Sequence, residues 1–162
     1  MHTGTPTRSQ RNKQSPLQQA QSNLRQKQRR RRKNLCQKIV ELTSRKHAQV
    51  YISIELDDQY FILNTDSSGT WPPPEEQIER HYPNTVRKTP GDYRALTSTK
   101  LRRETIFKKS VEYSDICGAN VHTIIYINNR YFTLYTNGKP PPSAEQLVWS
   151  SEPKLHALAD EK

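Results

Sequence analysis

The chain repeats itself at an offset of 71 residues. Positions 31–65 and 102–136 share twelve identities in 35 aligned positions without a gap. Among the identical pairs are Arg31-Arg32 with Arg102-Arg103, Val40-Glu41 with Val111-Glu112, and Tyr60-Phe61 with Tyr131-Phe132. Proline runs follow both copies, at 72–74 and 140–142. Two basic amphipathic helices can resemble each other by chance. Chance does not account for matched strands, turns and prolines as well, so the repeat indicates a duplication.

Both copies predict the same series of elements. Apolar residues at helical spacing predict a basic helix over about 30–46 and 99–117, and Gly118 is suited to end the second one. Alternating apolar residues then predict strands at 50–56 and 121–127, with return strands at 59–65 and 130–136. Asp57-Asp58 and Asn128-Asn129 join these strands as two-residue turns, since Asp and Asn tolerate positive φ. Short helices are expected at about 75–81 and 143–149.

A single unit of this kind is too small to stand alone, because a two-stranded hairpin is marginally stable in water. We therefore expect an α+β fold in which the two units pair into a four-stranded antiparallel sheet over two helices. The residues expected in the core of this pseudo-dimer are Leu35, Ile39, Leu42, Ile52, Ile54, Ile106, Tyr113, Cys117, Ile125 and Phe132.

The positive charge is concentrated at the amino terminus. The chain has 162 residues, with 26 Lys+Arg and 16 Asp+Glu for a net charge of +10. Residues 1–33 hold ten basic residues and no acidic one, so the remainder holds 26 − 10 = 16 basic and all 16 acidic residues. A basic arm on a neutral body is typical of proteins that bind polyanions.

Composition divides the chain into five segments. Residues 1–29 are rich in Gln, Ser, Lys and Arg and are expected to be a disordered basic arm. The two units are expected at 30–82 and 99–149, with a linker at 83–98 and a polar tail at 150–162.

Several functional classes are not expected. No apolar run approaches the 18 residues of a membrane span, and Met1–Gln10 lacks the apolar stretch of a signal peptide. Two cysteines make no disulfide framework, which favours an intracellular protein. The sequence shows no Cys/His spacing for zinc, no phosphate-binding glycine loop and no nucleophile with a base and an orienting group. We expect no enzyme activity, cofactor, metal or small-molecule substrate.

Copy two carries a pattern that extends from its basic helix into its first strand. The pattern consists of Ile106, Lys108, Lys109, Ser110, Glu112, Tyr113, Ser114, Ile116, Cys117, Ala119 and Val121. It resembles the MADS-box family of transcription factors, of the serum response factor type, and copy one is similar but degenerate. The resemblance implies dimeric binding of A/T-rich duplex DNA in the nucleus, with antiparallel helices over the DNA and an N-terminal arm in the minor groove. The expected protein partner is the other unit of the same chain, a second copy, or another MADS protein.

The cations of the arm and of the two helices are the expected DNA contacts. They are Arg29, Arg30, Arg31, Arg32, Lys33, Lys38, Lys100, Arg102, Arg103, Lys108 and Lys109. Arg29–Lys33 could also be a nuclear import signal, and Lys38 and Lys109 could lie on a merely solvated face. Glu41 and Glu112 are expected to form ion pairs with lysine, within one helix or between the two helices, and not to take part in acid/base chemistry.

Three alternatives stay open. The chain could be a MADS-derived protein-interaction module that does not recognise a DNA sequence. It could bind RNA through residues 1–33 alone. The aromatic pairs Tyr60-Phe61 and Tyr131-Phe132 could stack on single-stranded bases, although alternation along a strand favours a place in the core.

Overall fold

The fold is mixed α+β. The computed structural model describes residues 15–66, 71–81, 83–143 and 147, and the backbone of 156–157. Four helices are described: α1 (Pro16–Lys46), α2 (Glu75–Arg80), α3 (Gly91–Arg94) and α4 (Arg102–Cys117). The strands in this part of the chain are β1 (Gln49–Leu56), β2 (Gln59–Asn64), β3 (Val86–Lys88), β4 (Asn120–Ile127), β5 (Arg130–Tyr135) and the two-residue β6 (His156–Ala157). The predicted α+β class is confirmed, and the hairpin strands agree with their predicted bounds to within one residue.

The described strands form one sheet in the order β3-β5-β4-β1-β2-β6. The four central strands are antiparallel, whereas β3 and β6 add to the edges in parallel with β5 and β2. Both hairpins turn as expected, because Asp57, Asp58, Asn128 and Asn129 all have φ between 51° and 60°.

The central pair of strands, β1 and β4, is related by a local two-fold axis. Ile52 lies opposite Thr123, its own counterpart at the offset of 71. On either side of this pair, Val50 lies opposite Ile125 and Ile54 lies opposite Val121, so the register reads the same from both units. The duplicated sequence thus pairs with itself inside one chain.

The repeated threonines explain how each hairpin is closed. The amide of Val50 donates to Thr65 Oγ1 (2.9 Å), and the amide of Thr65 donates to the carbonyl of Val50 (3.0 Å). Val121 and Thr136 repeat both bonds at 2.8 and 2.9 Å. Each threonine side chain thereby satisfies a strand amide beyond the last pair of its hairpin.

Helices α1 and α4 cover one face of the sheet. Their apolar side chains share a buried cluster with those of the four central strands; members of this cluster include Leu35, Ile39, Leu42, Ile106, Phe107, Ile52, Ile54, Val121, Ile125 and Phe132. Of the ten residues expected in the core, nine lie in this cluster, and Cys117 packs against it half-buried.

The other face of the sheet carries α2. Ile78 of α2 is fully buried against Tyr51, Ile124 and Tyr131, and Trp71 packs at the margin of this second cluster. Gln77 Nε2 donates to the Tyr131 hydroxyl at 3.0 Å. The prediction of a short helix at about 75–81 is confirmed; the one predicted at 143–149 lies largely outside the described residues.

Helix α1 starts at Pro16, so the prediction that residues 1–29 are disordered is wrong for residues 16–29. Ser15 caps the helix through a reciprocal pair of hydrogen bonds with Gln18, and proline occupies the first turn. The Gln, Ala, Arg and Lys residues that follow are good helix formers. Residues 1–14 lie outside the described part of the chain.

The segment 83–98 is not a simple linker as predicted. Val86, Arg87 and Lys88 form β3 and pair with Phe132, Thr133 and Leu134. Tyr93 of α3 is buried against Phe107, with 5.9 Å between the ring centroids. The chain therefore uses this segment to cross from α2 to the opposite edge of the sheet. In the predicted polar tail, His156 and Ala157 pair with Phe61 and Ile62, and the rest of 150–162 is not described.

We expect Ile52→Ala, at the local two-fold axis, to lower the free energy of unfolding by about 2–4 kcal/mol, because it leaves a cavity between sheet and helices. Ile52 is completely buried, whereas Ile116 is 54% exposed. The matched control Ile116→Ala should change stability by less than about 0.5 kcal/mol. Urea unfolding followed by circular dichroism measures both. Equal losses in the two variants would contradict the pairing described here.

Stability should also fall on acidification because of His122. Burial lowers the pKa of this imidazole, whose Nε2 lies 3.1 Å from Asn137 Oδ1. As pH falls below about 6.5, the unfolded chain binds a proton at this site before the folded chain does. The stability associated with the buried, neutral His122 is therefore fully present above about pH 6.5 and is lost as the pH falls below that value. We expect the melting temperature of His122→Gln to fall less between pH 7.5 and pH 5 than that of the unmodified protein. Parallel plots of melting temperature against pH for the two proteins would contradict this.

Candidate nucleic-acid interface

Helices α1 and α4 lie side by side and antiparallel, and together they are called the helix layer below. Arg32, in the middle of α1, donates from Nη1 to the hydroxyl of Tyr113 near the end of α4 (2.9 Å). Arg102, at the start of α4, donates from Nη1 to Glu41 Oε2 towards the end of α1 (3.1 Å). The two cross-helix bonds fix the direction and register of the pair.

The charge of the helix layer comes mainly from α1. This helix carries ten Lys or Arg residues and a single acidic residue, Glu41. Arg29, Arg30, Arg31 and Lys33 are exposed, and no described carboxylate lies within ion-pair distance of them. Because α1 already includes this run, its cations project from a helix rather than from an extended arm.

Helix α4 is closer to neutral. Its four cations face three carboxylates, those of Glu104, Glu112 and Asp115. Lys108 Nζ lies 2.6 Å from Glu112, and Lys109 is half-buried. Lys100, just before the helix, is exposed. The positive charge is therefore unevenly shared between the two units.

Cations from both helices meet at Glu41. Lys38 Nζ lies 3.7 Å from this carboxylate, and Arg102 Nη1 lies 3.1 Å from it. The expectation of ion pairs at Glu41 and Glu112 is confirmed. In the two pairs at Glu41 both side chains are more than a third exposed, so solvent screens these pairs and each contributes little to stability.

Arg32 and Arg103 form two equivalent stacks that sequence reasoning missed. The guanidinium carbon of Arg32 lies 3.9 Å from the ring centroid of Phe61, and that of Arg103 lies 3.9 Å from the centroid of Phe132. All four residues are related by the offset of 71, so the repeat contained the signal. Arg32 is only 7% exposed. The structure thus corrects its expected role: it seals the core below the helix layer and presents no free charge at the surface.

The two stacks border two related clefts between the helices and the hairpin turns. In unit one, Arg25, Arg29 and Asp57 accompany the stack of Arg32 on Phe61. In unit two, Asn128 and Arg130 accompany the stack of Arg103 on Phe132, and Lys46, Lys100 and Arg102 line an adjoining cleft. Among the described residues, the ionisable side chains that line the unit-two clefts are therefore all cations.

The aromatic pairs are not available as stacking platforms for bases. Phe61 and Phe132 are buried beneath the arginines, and Tyr131 is buried on the far face of the sheet. Tyr60 is partly exposed. The reading of these aromatics as core residues is confirmed for three of the four, and the single-strand alternative is wrong for those three.

Two contacts hold α4 against the segment that precedes it. The Tyr93 hydroxyl donates to Glu104, and together burial and this carboxylate raise the pKa of Tyr93. Arg94 binds Asp115 through two bonds of 2.9 and 3.0 Å, which lower the pKa of that carboxyl. Arg94 is thereby engaged in an ion pair, like Arg87, which contacts Glu75 and Glu79.

The described residues contain no group of three His, Cys, Asp or Glu side chains placed to hold a metal ion. None of their helices is both long and apolar enough to span a bilayer. Comparison of the chain with models of protein families, with curated proteins and with solved structures found no match.

The arginine stack makes a specific prediction about stability. Arg32→Lys should lower the free energy of unfolding by about 1–2 kcal/mol, because an ammonium loses the planar contact with Phe61 and the fixed bond to Tyr113. Arg30→Lys, on the exposed side of the same helix, is the matched control and should have no measurable effect. Chemical denaturation compares them. A silent Arg32→Lys would show that the stack contributes nothing to the core.

Proposed function

We propose that this protein binds duplex DNA through its helix layer and acts as a nuclear transcription regulator of MADS-box type. The observation that carries the proposal is the exposed basic surface of α1, formed by Arg29, Arg30, Arg31 and Lys33, which has no ion-pair partner among the described carboxylates. A surface of this kind attracts phosphates and releases their counterions.

Charge is distributed between the two faces of the sheet in a way that supports an oriented complex. The helix on the far face, α2, has acidic residues at Glu75, Glu76 and Glu79 and one cation, Arg80. Because Arg87 also contacts Glu75 and Glu79, α2 and Arg87 together have a net charge of −3 + 2 = −1. An approaching polyanion would therefore be attracted by the helix layer and not by α2. This polarity gives DNA one favoured docking face.

The local two-fold symmetry supports recognition of duplex rather than single-stranded nucleic acid. Because β1 and β4 pair about an axis, Arg31 and Lys38 of α1 are related to Arg102 and Lys109 of α4. Two helices whose repeated segments are related by a two-fold axis match the symmetry of a duplex with two half-sites. In this proposal the chain serves as its own dimer, and the MADS-like pairing is intramolecular.

One observation favours the second candidate, a protein-interaction module. Lys38, Arg102, Arg103 and Lys108 all form ion pairs with carboxylates within the layer, which reduces the charge left for phosphates. If these cations contact only carboxylates of the protein and no phosphate, the basic surface available to DNA is confined to α1. The salt dependence of binding separates the two candidates.

The proposal predicts a steep salt dependence. If about six phosphates are neutralised, the logarithm of the association constant should fall with log salt at a slope near −5. A/T-rich duplexes should bind more tightly than G/C-rich ones, because the narrow minor groove of A/T-rich DNA has a strong negative potential that attracts arginine side chains. Fluorescence anisotropy with labelled duplexes between 50 and 300 mM salt measures both.

A pair of triple variants locates the surface. Arg29→Ala, Arg30→Ala and Lys33→Ala together should reduce the slope by about 3 and weaken binding at least tenfold, while alanine preserves the helix. The control combines Arg80→Ala, Lys88→Ala and Lys139→Ala, which remove the same charge outside the helix layer, and should leave the slope near that of the unmodified protein. A flat salt response of the unmodified protein would favour the interaction module. If a peptide of residues 1–33 binds RNA as tightly as the full-length protein does, the alternative of RNA binding through this segment alone is favoured.

A further inference from the structure

The two helices of the helix layer differ greatly in length. Helix α1 has 31 residues and α4 has 16. At the offset of 71, Arg102 corresponds to Arg31, so residues 16–30 of α1 have no counterpart in α4. We call them the N-terminal extension. At 1.5 Å per residue the extension adds about 22 Å of helix on one side of the two-fold axis.

The extension presents a polar face of three amides and one guanidinium to solvent. Gln19, Asn23, Gln26 and Arg30 are spaced by four, three and four residues, so they share one face of the helix, and all four are exposed. Gln19 Nε2 donates to Asn23 Oδ1 at 3.1 Å, as expected for neighbours on that face. We call these four residues the polar stripe. The opposite face carries Leu17, Gln21, Leu24 and Gln28 at the same spacing.

The residue types of the polar stripe are those that read base edges. In the major groove, an Asn or Gln side chain can form two hydrogen bonds with one adenine, and an Arg side chain can form two hydrogen bonds with one guanine. Lys27, Arg29 and Lys33 flank the stripe as exposed cations and could hold the adjacent phosphates. The amides and the guanidinium of the stripe match the base edges on the floor of the groove. The cations on either side of the stripe match the two phosphate backbones that border the groove.

Dimensions decide which groove fits. An α-helix with its side chains is about 10–12 Å across. The major groove of B-form DNA is about 12 Å wide and the minor groove about 6 Å. As a helix, residues 16–30 can enter only the major groove.

We propose that the N-terminal extension lies in the major groove on one flank of the bound site and that the polar stripe reads base edges there. This proposal rests on the function proposed above and deepens it. Since α4 lacks the extension, the recognised site is asymmetric: a pseudo-symmetric centre below the helix layer and one additional sequence-specific flank.

The test starts from duplexes selected by the full-length protein from a random pool. The variant Gln19→Ala, Asn23→Ala, Gln26→Ala should bind the selected duplex at least tenfold more weakly and bind random duplex with unchanged affinity. The control Leu17→Ala, Gln21→Ala, Leu24→Ala alters the opposite face and should bind both as the unmodified protein does. Circular dichroism verifies helix content, which alanine preserves in both.

A second arm of the experiment identifies the groove. Replacing flanking A·T pairs by inosine·cytosine pairs keeps the minor-groove pattern and changes the major-groove pattern. We expect this replacement to weaken binding at least tenfold on one flank only. Unchanged affinity after base replacement, or in the stripe variant, would overturn the proposal while DNA binding itself stands. If the unmodified protein shows no salt-dependent binding to any duplex, the proposed function fails together with this inference.

Discussion

The antiparallel pairing of β1 with β4 is the interaction on which the rest of the structure depends. It places Ile52 opposite Thr123 on a local two-fold axis and joins two hairpins that are each too small to be stable. Pairing also brings α1 and α4 together over the same face, where their apolar side chains close a single core. The geometry of the helix layer, and of any ligand bound to it, follows from this one register.

Symmetry in the backbone is accompanied by divergence in the side chains. At the centre, Ser110 and Thr123 form a buried pair with 3.1 Å between their hydroxyl oxygens, whereas their counterparts are Ile39 and Ile52. Arg32 donates a hydrogen bond to the hydroxyl of Tyr113. Its counterpart Arg103 has no equivalent bond to the other helix, because the counterpart of Tyr113 is Leu42, which has no hydroxyl. Each unit is therefore adapted to its own side of the interface. This divergence accompanies the uneven charge of the two helices and the unpaired length of α1.

Charge and packing divide the basic residues into two groups. Arg32 and Arg103 cover phenylalanine rings, and Lys38, Arg102 and Lys108 contact carboxylates of the helix layer. These cations are partly committed to the fold. The exposed cations of α1 have no such partners among the described acids, so an approaching anion does not have to displace a carboxylate from them. The proposed interface is thus concentrated on α1, the helix whose cations are least neutralised by nearby carboxylates.

The sequence by itself determined the repeat, the two hairpins with their positive-φ turns, the helices that face the sheet and the α+β class, because alternation and helical spacing are local signals. It did not reveal β3, because a strand of three residues has no periodic pattern of its own and forms here only by pairing with the free edge of β5. Composition did not reveal that α1 begins at Pro16, because polar composition alone does not distinguish an exposed helix from a disordered arm. The local signals of the helix start were Ser15, Pro16 and Gln18. Only the tertiary structure decided which arginines stack on phenylalanine and which remain exposed, since that choice depends on where two helices cross a shared sheet.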